Sequence, residues 1–315
     1  MKILITGSCG FIGSHLSEHL LQQNNTVIGI DNLNSFIYEP KHKELNLNSL
    51  IKYKNYIHIT DNIVNDNYIL IHKPDLIIHL AAYANVRKSE EFPEKYINNN
   101  VEVTCNILNQ IKQLKIKPLL IYASSSSVYG KNTKIPFTET DELFNICSPY
   151  AISKKMCEDL VNMYCSTYKV KAIGLRFFTV YGPRGRPDMA VYKFLTDIKN
   201  NREIIMYGDG NMSRDYTYID DIINGIIKAS EQKLDDGMHK IYNLGNNSPI
   251  KLIDFIKLCE KITGKEAKIR NEIQLLGDVN ITYANINKAM SELSYNPITK
   301  FEDGLVKTYD WIKTL

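Results

Sequence analysis

No apolar run in the 315 residues reaches the ~18 needed to cross a bilayer, so no membrane helix is expected. The opening MKILITG is too short an apolar stretch for a secretory signal and ends in a glycine turn. Six cysteines (Cys9, Cys105, Cys147, Cys157, Cys165 and Cys259) include no CxxC pair and no nearby histidine at metal-ligand spacing. No metal is expected, and buried thiols in a reducing compartment are the favoured reading. Charge of one sign is also scarce, since 38 Lys and Arg against 35 Asp and Glu leave a net +3. No basic block interleaves with aromatics, which excludes a nucleic-acid footprint. A cytoplasmic protein with neither membrane nor nucleic acid among its partners is expected. Apolar residues, in contrast, make up 44% of the chain, enough to bury a sizeable core in one large or two fused domains.

Short β-branched runs recur at 2–6 (KILIT), 26–30 (TVIGI), 56–59 (YIHI), 75–80 (DLIIHL), 118–123 (PLLIYA) and 170–176 (VKAIGLR). Between them, Ser14–Gln23 and Ile97–Leu114 carry apolar residues at helical spacing, as does Leu252–Ile262 further on. Continuous apolar strands alternating with amphipathic helices predict a doubly wound parallel sheet of Rossmann type, covered on both faces. After Arg176 the pattern loosens into short strands and turns. The expected organisation is a dinucleotide-binding domain over 1–176, with later segments returning to it, and a smaller substrate-binding domain over 177–315. Ligands of such sheets sit beyond the carboxyl ends of the strands, which draws the segments after 6, 30, 80, 123 and 176 around one cleft.

GSCGFIG follows the first run, with Gly7, Gly10 and Gly13 opening directly into a helix. A tight turn, close approach to a pyrophosphate and close helix packing each favour glycine, and the helix start supplies N–H donors. Asp31 ends the second run, about 20 residues on, where a carboxylate accepts from ribose hydroxyls and repels a 2′-phosphate. NAD is therefore expected over NADP. Asp61, after the third run, is placed to meet the adenine edge, and an exposed turn aspartate is the competing reading.

Ser148-Pro149-Tyr150 reads as a helix start, with serine as N-cap and proline in the first turn. Tyr150 and Lys154, four apart, share one helix face. A phenol is a poor base at neutral pH, and a neighbouring ammonium together with a nicotinamide cation favours the phenolate. The serine run Ser124–Ser127 follows the fifth strand and directs hydroxyls to the same cleft. In FFTVYGPRGRPDMA (177–190), Arg184 and Arg186 stand in a turn of Gly182, Pro183, Gly185 and Pro187. Turn geometry does not call for cations, so the pair is either solvated or held rigidly for an anion.

GxxGxxG, Asp31, the serines and Tyr150-x-x-x-Lys154, followed by HLAA (79–82), NNNV (98–101) and GDGNMSRDYTYIDD (208–221), resemble the extended short-chain dehydrogenase/reductase superfamily over essentially the whole chain. YASSSSVYG (122–130) and RFFTVYGPRGRPDMA (176–190) look most like its UDP-glucuronate 4-epimerases. The resemblance implies an NAD-dependent isomerase, acting through a transient 4-keto sugar and working as a homodimer. It implies Tyr150 as base, Lys154 on the ribose, and Ser125 and Ser127 on the sugar. NAD would be lined by Gly7, Gly10, Phe11, Ile12, Gly13, Asp31, Asp61, Asn62, Leu80, Ala81, Ala82, Asn100, Tyr150, Lys154 and Phe178. Arg214 would neutralise the diphosphate, Tyr207 would lie against uracil, and Asp278 would hold the nucleotide ribose.

Related dehydratases carry an Asp-Glu pair, and decarboxylases a Glu, just before the VYG element. Ser126 and Ser127 stand there instead, which narrows the chemistry to epimerisation. A 4-keto glucuronate is a β-keto acid, and it keeps its carboxylate only if that group is held away from the perpendicular orientation. Arg186, with Thr179 and the serines, is the expected restraint, and Arg87 is expected to approach from the facing loop. SPYAISKK replaces the group's SLYAATKK, ANVRKS its AGVRYS, and Arg184 its Trp. An uncharged UDP-hexose or UDP-N-acetylhexosamine is the alternative substrate, and a catalytically silent nucleotide sensor on the same fold is the alternative class.

Overall fold

The computed structural model describes residues 1–273 and 279–315. Each of the six apolar runs forms a strand: β1 (Lys2–Thr6), β2 (Thr26–Ile30), β3 (Tyr56–Ile59), β4 (Leu76–His79), β5 (Leu119–Ser125) and β6 (Lys171–Phe177). Shorter strands follow at β7 (Thr179–Tyr181), β8 (Glu203–Tyr207), β9 (Ser213–Tyr218), β10 (His239–Leu244), β11 (Pro249–Lys251) and β12 (Lys268–Glu272). One parallel sheet has the order β10-β6-β5-β4-β1-β2-β3. Strand order reverses between β1 and β4, and the loops leaving their carboxyl ends diverge into a crevice.

Burial explains why these strands read as unbroken apolar runs. Alternate side chains enter opposite faces, and both faces are covered. Leu4, Ile77, Leu120 and Ala172 pack against Ile107, Leu108 and Ile111 of helix Val103–Gln113 and Val161 of helix Pro149–Tyr168. Ile3, Ile5, Ile78, Ile121 and Ile173 belong to the other cluster, with Leu16 and Leu20 of helix Phe11–Gln22 and Ile222 and Ile226 of helix Ile219–Ser230. That second cluster continues without a break into an aromatic group formed by Phe194, Tyr216, Phe255 and Phe301. Strand β10, far along the chain, pairs with β6 as the seventh strand.

Two smaller sheets, β11-β9-β7 and β12-β8, stand beyond the carboxyl ends of β5 and β6. The expected helix over Ile97–Leu114 divides in two. Ile97–Glu102 is a widened π-helical turn, and the α-helix runs over Val103–Gln113. Asn100 lies in this widened turn, and its side chain binds the Tyr83 backbone N–H and carbonyl and the Ser153 hydroxyl. Among the described residues, no helix is long and apolar enough to cross a membrane.

Candidate active site

A cavity of about 710 Å³ opens at the switch point and runs from Gly7 and Asp31 to Arg186 and Arg214. Its dinucleotide end is made largely by backbone. Gly7 has φ +72°, and a side chain there would meet the Ala81 amide at 2.8 Å. A Cβ on Gly13 would lie 2.0 Å from the Gly7 carbonyl oxygen. Helix Phe11–Gln22 starts on Gly10, whose lack of a side chain leaves the first-turn N–H groups to a ligand. Gly10, Phe11, Ile12 and Gly13 line the cavity. Glycine cradle, open helix start and acid at the end of β2 together fit a dinucleotide.

Asp31 is 7% exposed and fixed by two backbone donors, Cys9 N at 3.0 Å and Leu33 N at 2.9 Å. Lys43 and Tyr38 line the wall near it. Leu80, Ala81 and Ala82 form the opposite wall, where Ala81 N donates to Thr6 Oγ1 at 3.2 Å. Beneath them His79 bonds Thr6 and Thr104, and burial drives its pKa down to about 3, so the ring is neutral. Asp61 and Asn62 complete this end. The Tyr68 hydroxyl, the Asn62 amide and the Asn65 side chain hold the Asp61 carboxyl below its usual range.

At the middle of the cavity, helix Pro149–Tyr168 begins on Ser148, whose Oγ accepts from Ala151 N at 3.2 Å. This cap sets Tyr150 at the cavity wall. Lys154 is 5% exposed and donates to the Ala123 carbonyl at 2.8 Å, which leaves two N–H donors on its ammonium. Ser125 Oγ accepts from Ser127 N and donates to Ser127 Oγ at 3.0 Å, so the two hydroxyls form one unit at the end of β5. Ser124, Phe178 and Thr179 also line the cavity.

Ser124 departs from the expectation that the whole serine run serves the cleft. Its Oγ donates to Glu158 at 2.6 Å, inside a buried pair in which Arg176 binds both Glu158 oxygens. Asn100 departs as well, since its fully used amide stands behind the wall and fastens the 80–85 loop to the helix that carries Tyr150.

The two loop arginines separate. Arg184 turns away to Glu18 of the first helix, at 2.7 Å, and is absent from the cavity wall. Arg186 lines the cavity and gives both Nε and Nη2 to Asp188, at 2.9 and 2.5 Å. Desolvation opposes its charge, and the Asp188 carboxylate more than offsets that, raising the guanidinium pKa. Arg87 also lines the cavity. Its guanidinium lies over the Tyr207 ring, 4.3 Å from the centroid, at the end of β8. Arg214 lines the same region, and Asp278 lies outside the described residues.

Sequence reasoning missed Tyr38, Lys43, Asn85, Cys147 and Asp188, all on the cavity wall. Only Asp188 carried a usable signal, an acid two residues from a cation in a proline-stiffened turn. Tyr38 and Lys43 reach the site through a loop and a short helix with no recognisable pattern.

A chain with this sheet order, glycine turn and Tyr/Lys helix is a dinucleotide-dependent enzyme of the doubly wound class. It belongs to the NAD dependent epimerase/dehydratase family, whose model matches residues 3–245. It is 41% identical to protein CapI of Staphylococcus aureus, over 99% of this chain and 98% of that one. It is 37% identical to UDP-glucuronate 4-epimerase 5 of Arabidopsis thaliana, over 99% of this chain and 75% of the relative. Its fold superposes with TM-score 0.94 on the crystal structure of UDP-glucuronic acid 4-epimerase from Bacillus cereus in complex with UDP-glucuronic acid and NAD, at 36% identity, covering 100% and 99% of the two chains.

Proposed function

We propose that this enzyme inverts C4 of a UDP-sugar, and that the sugar is glucuronate. The observation that carries the substrate is Arg186, a guanidinium held on the cavity wall with the hydroxyls of Ser125, Ser127 and Thr179 on the same wall. NAD, bound along Gly7–Gly13 and Asp31, supplies reversible acceptance of a hydride at C4. Tyr150 takes the C4 hydroxyl proton and later returns it. Lys154, anchored on Ala123, uses its two remaining donors on the cofactor ribose. Arg214 and the Arg87–Tyr207 pair hold the nucleotide end, so that the keto sugar can turn over about its diphosphate. Meanwhile Arg186 restrains the angle of the carboxylate and so keeps the β-keto acid intact.

An uncharged UDP-hexose is the second reading. One observation favours it: Asp188 already occupies a fork of Arg186 and cancels its charge. Turnover separates the two readings. Purified enzyme with UDP-glucuronate, UDP-glucose and UDP-N-acetylglucosamine, followed by NMR, should give the 4-epimer of the first at the highest kcat/KM. Tyr150→Phe should retain NAD and lose at least ~10²-fold in rate, the usual scale of a general base. Activity within a few-fold of the native enzyme would remove Tyr150 from the role.

We further propose a homodimer. Ile152, Met156 and Met163 are 43%, 39% and 42% exposed and fall within one narrow stripe of helix Pro149–Tyr168, an apolar face suited to a second copy. A monomeric mass by light scattering would end that part of the reading.

A further inference from the structure

Among the described residues, Asp188 is the acid paired with Arg186, and the edge by which it holds the guanidinium sets the angle offered to another anion. It accepts from Nε and Nη2, the side edge of the guanidinium, and the pair is only 16% and 21% exposed. A guanidinium has five N–H groups in one plane, so a carboxylate on this edge fixes the plane and leaves the Nη1 edge for another anion. Asp188 is itself steadied. Its Oδ2 accepts from Asn85 Nδ2 at 3.0 Å, and Asn85 in turn caps helix Val86–Glu91 by accepting from Lys88 N. The Tyr96 hydroxyl holds the Asn85 carbonyl at 2.9 Å. The chain Tyr96–Asn85–Asp188–Arg186 thus joins the loop after β4 to the loop after β7.

We propose that Asp188 is the positioning residue that sets the angle at which this site holds the carboxylate of an anionic sugar and so keeps that sugar intact. It grips Arg186 by one edge and presents the other edge to the substrate carboxylate at a fixed angle. This rests on the glucuronate reading above. Its negative charge also repels the incoming carboxylate, so the arrangement gives up affinity in exchange for orientation. When orientation is lost, the keto sugar breaks its C5–C6 bond and carbon dioxide leaves. The electron pair passes into the C4 ketone as an enolate, solvent protonates C5, and the nicotinamide stays reduced beside a UDP-4-ketopentose.

The test uses the NAD-loaded enzyme. In the Tyr150→Phe background, where turnover is blocked, calorimetric titrations compare UDP-glucuronate with UDP-glucose. Asp188→Asn should tighten UDP-glucuronate about three- to tenfold, the scale of one partly screened charge, and leave UDP-glucose within about twofold. With Tyr150 restored, Asp188→Asn should lower kcat for epimer and release carbon dioxide with stoichiometric reduced nicotinamide. Asn85→Ala should release carbon dioxide in the same way but less, with UDP-glucuronate affinity within about twofold because the Asp188 charge remains, and Asp188→Glu should restore part of the fidelity. Equal weakening of both sugars, or unchanged selectivity with no carbon dioxide, would overturn the role of Asp188. A native enzyme that does not turn over UDP-glucuronate at all would instead overturn the substrate reading on which it rests.

Discussion

At the dinucleotide end of the cavity, Gly7, Gly10 and Gly13 lie in a single turn and the start of the helix it opens, and the ligand meets mostly backbone. At the sugar end, Arg87, Ser125, Tyr150, Arg186 and Arg214 arrive on separate segments, and the ligand meets side chains held by other side chains. The first end therefore tolerates almost no added atom. The second tolerates substitution, but at the cost of angle and selectivity. A backbone site is fixed once the strand and helix form, whereas a side-chain site is only as exact as the partners behind it.

Gly13→Ala should give the largest effect, because its new Cβ would stand 2.0 Å from the Gly7 carbonyl oxygen and nothing there is a flexible side-chain end. The expected result is loss of bound NAD and of all turnover, read as nicotinamide released from the purified protein and as a lowered unfolding midpoint. A holoenzyme of native activity would show that the glycine turn is softer than its geometry implies.

The sugar end should give a graded response. Arg186→Ala removes a charge-assisted contact, for which ~1.5–3 kcal/mol, or roughly one to two orders of magnitude in kcat/KM, is expected on UDP-glucuronate. A minor UDP-4-ketopentose should accompany it. Arg184→Ala, a few residues away, should leave kcat/KM nearly unchanged and lower stability by about 1 kcal/mol, since its partner is Glu18 on the first helix. Equal losses of activity in both variants would erase the distinction between the two arginines.

Asp31→Ala should have a smaller effect. Its carboxylate is replaced by space in which a 2′-phosphate can sit, so NAD should weaken several-fold and the preference over NADP should shrink. Competition of the two cofactors for the stripped enzyme measures this. An unchanged ratio would leave Asp31 as a clamp for Cys9 and Leu33 only.

The smallest effect separates the two ends by pH. Burial lowers His79, at the dinucleotide end, from 6.5 to about 3. The unfolded chain therefore binds the extra proton first, and the stability His79 contributes above pH 6.5 is lost as pH falls toward 3. Asp215, in β9 beneath the sugar end, is raised by desolvation from 3.8 to about 6 despite accepting from the amides of Ala284, Asn246 and Asn247. Here the folded state binds the proton first, so its contribution is present below pH 3.8 and is lost as pH rises through 6. Unfolding midpoints between pH 7 and 4.5 should fall less steeply in His79→Asn and more steeply in Asp215→Asn. Parallel slopes in the two variants would contradict the opposite signs.

The sequence by itself determined the parallel sheet, because strands buried on both faces must be apolar throughout, and KILIT, TVIGI and PLLIYA could be little else. It also determined the dinucleotide end, since a strand, three glycines and an acid at the next strand end are neighbours along the chain. The Ser148 cap and the Tyr150/Lys154 face were legible for the same reason, as helix signals are local. The turn pattern in GPRGRPD does not by itself separate Arg184 from Arg186. The resemblance favoured Arg186 for an anion, and only the tertiary structure supplied their partners, Glu18 for one and Asp188 for the other. Arg87 was expected to approach from the facing loop, and only the folded chain shows its guanidinium lying over the Tyr207 ring. Ser124 was grouped with its neighbours and instead serves Glu158, because strand pleating turns it to the opposite side from Ser125. Tyr38, Lys43 and Asn85 carried no signal at all. Local patterns specify backbone, but where a long charged side chain settles is decided by whichever buried partner the folded chain brings within reach, and that partner can lie anywhere in the sequence.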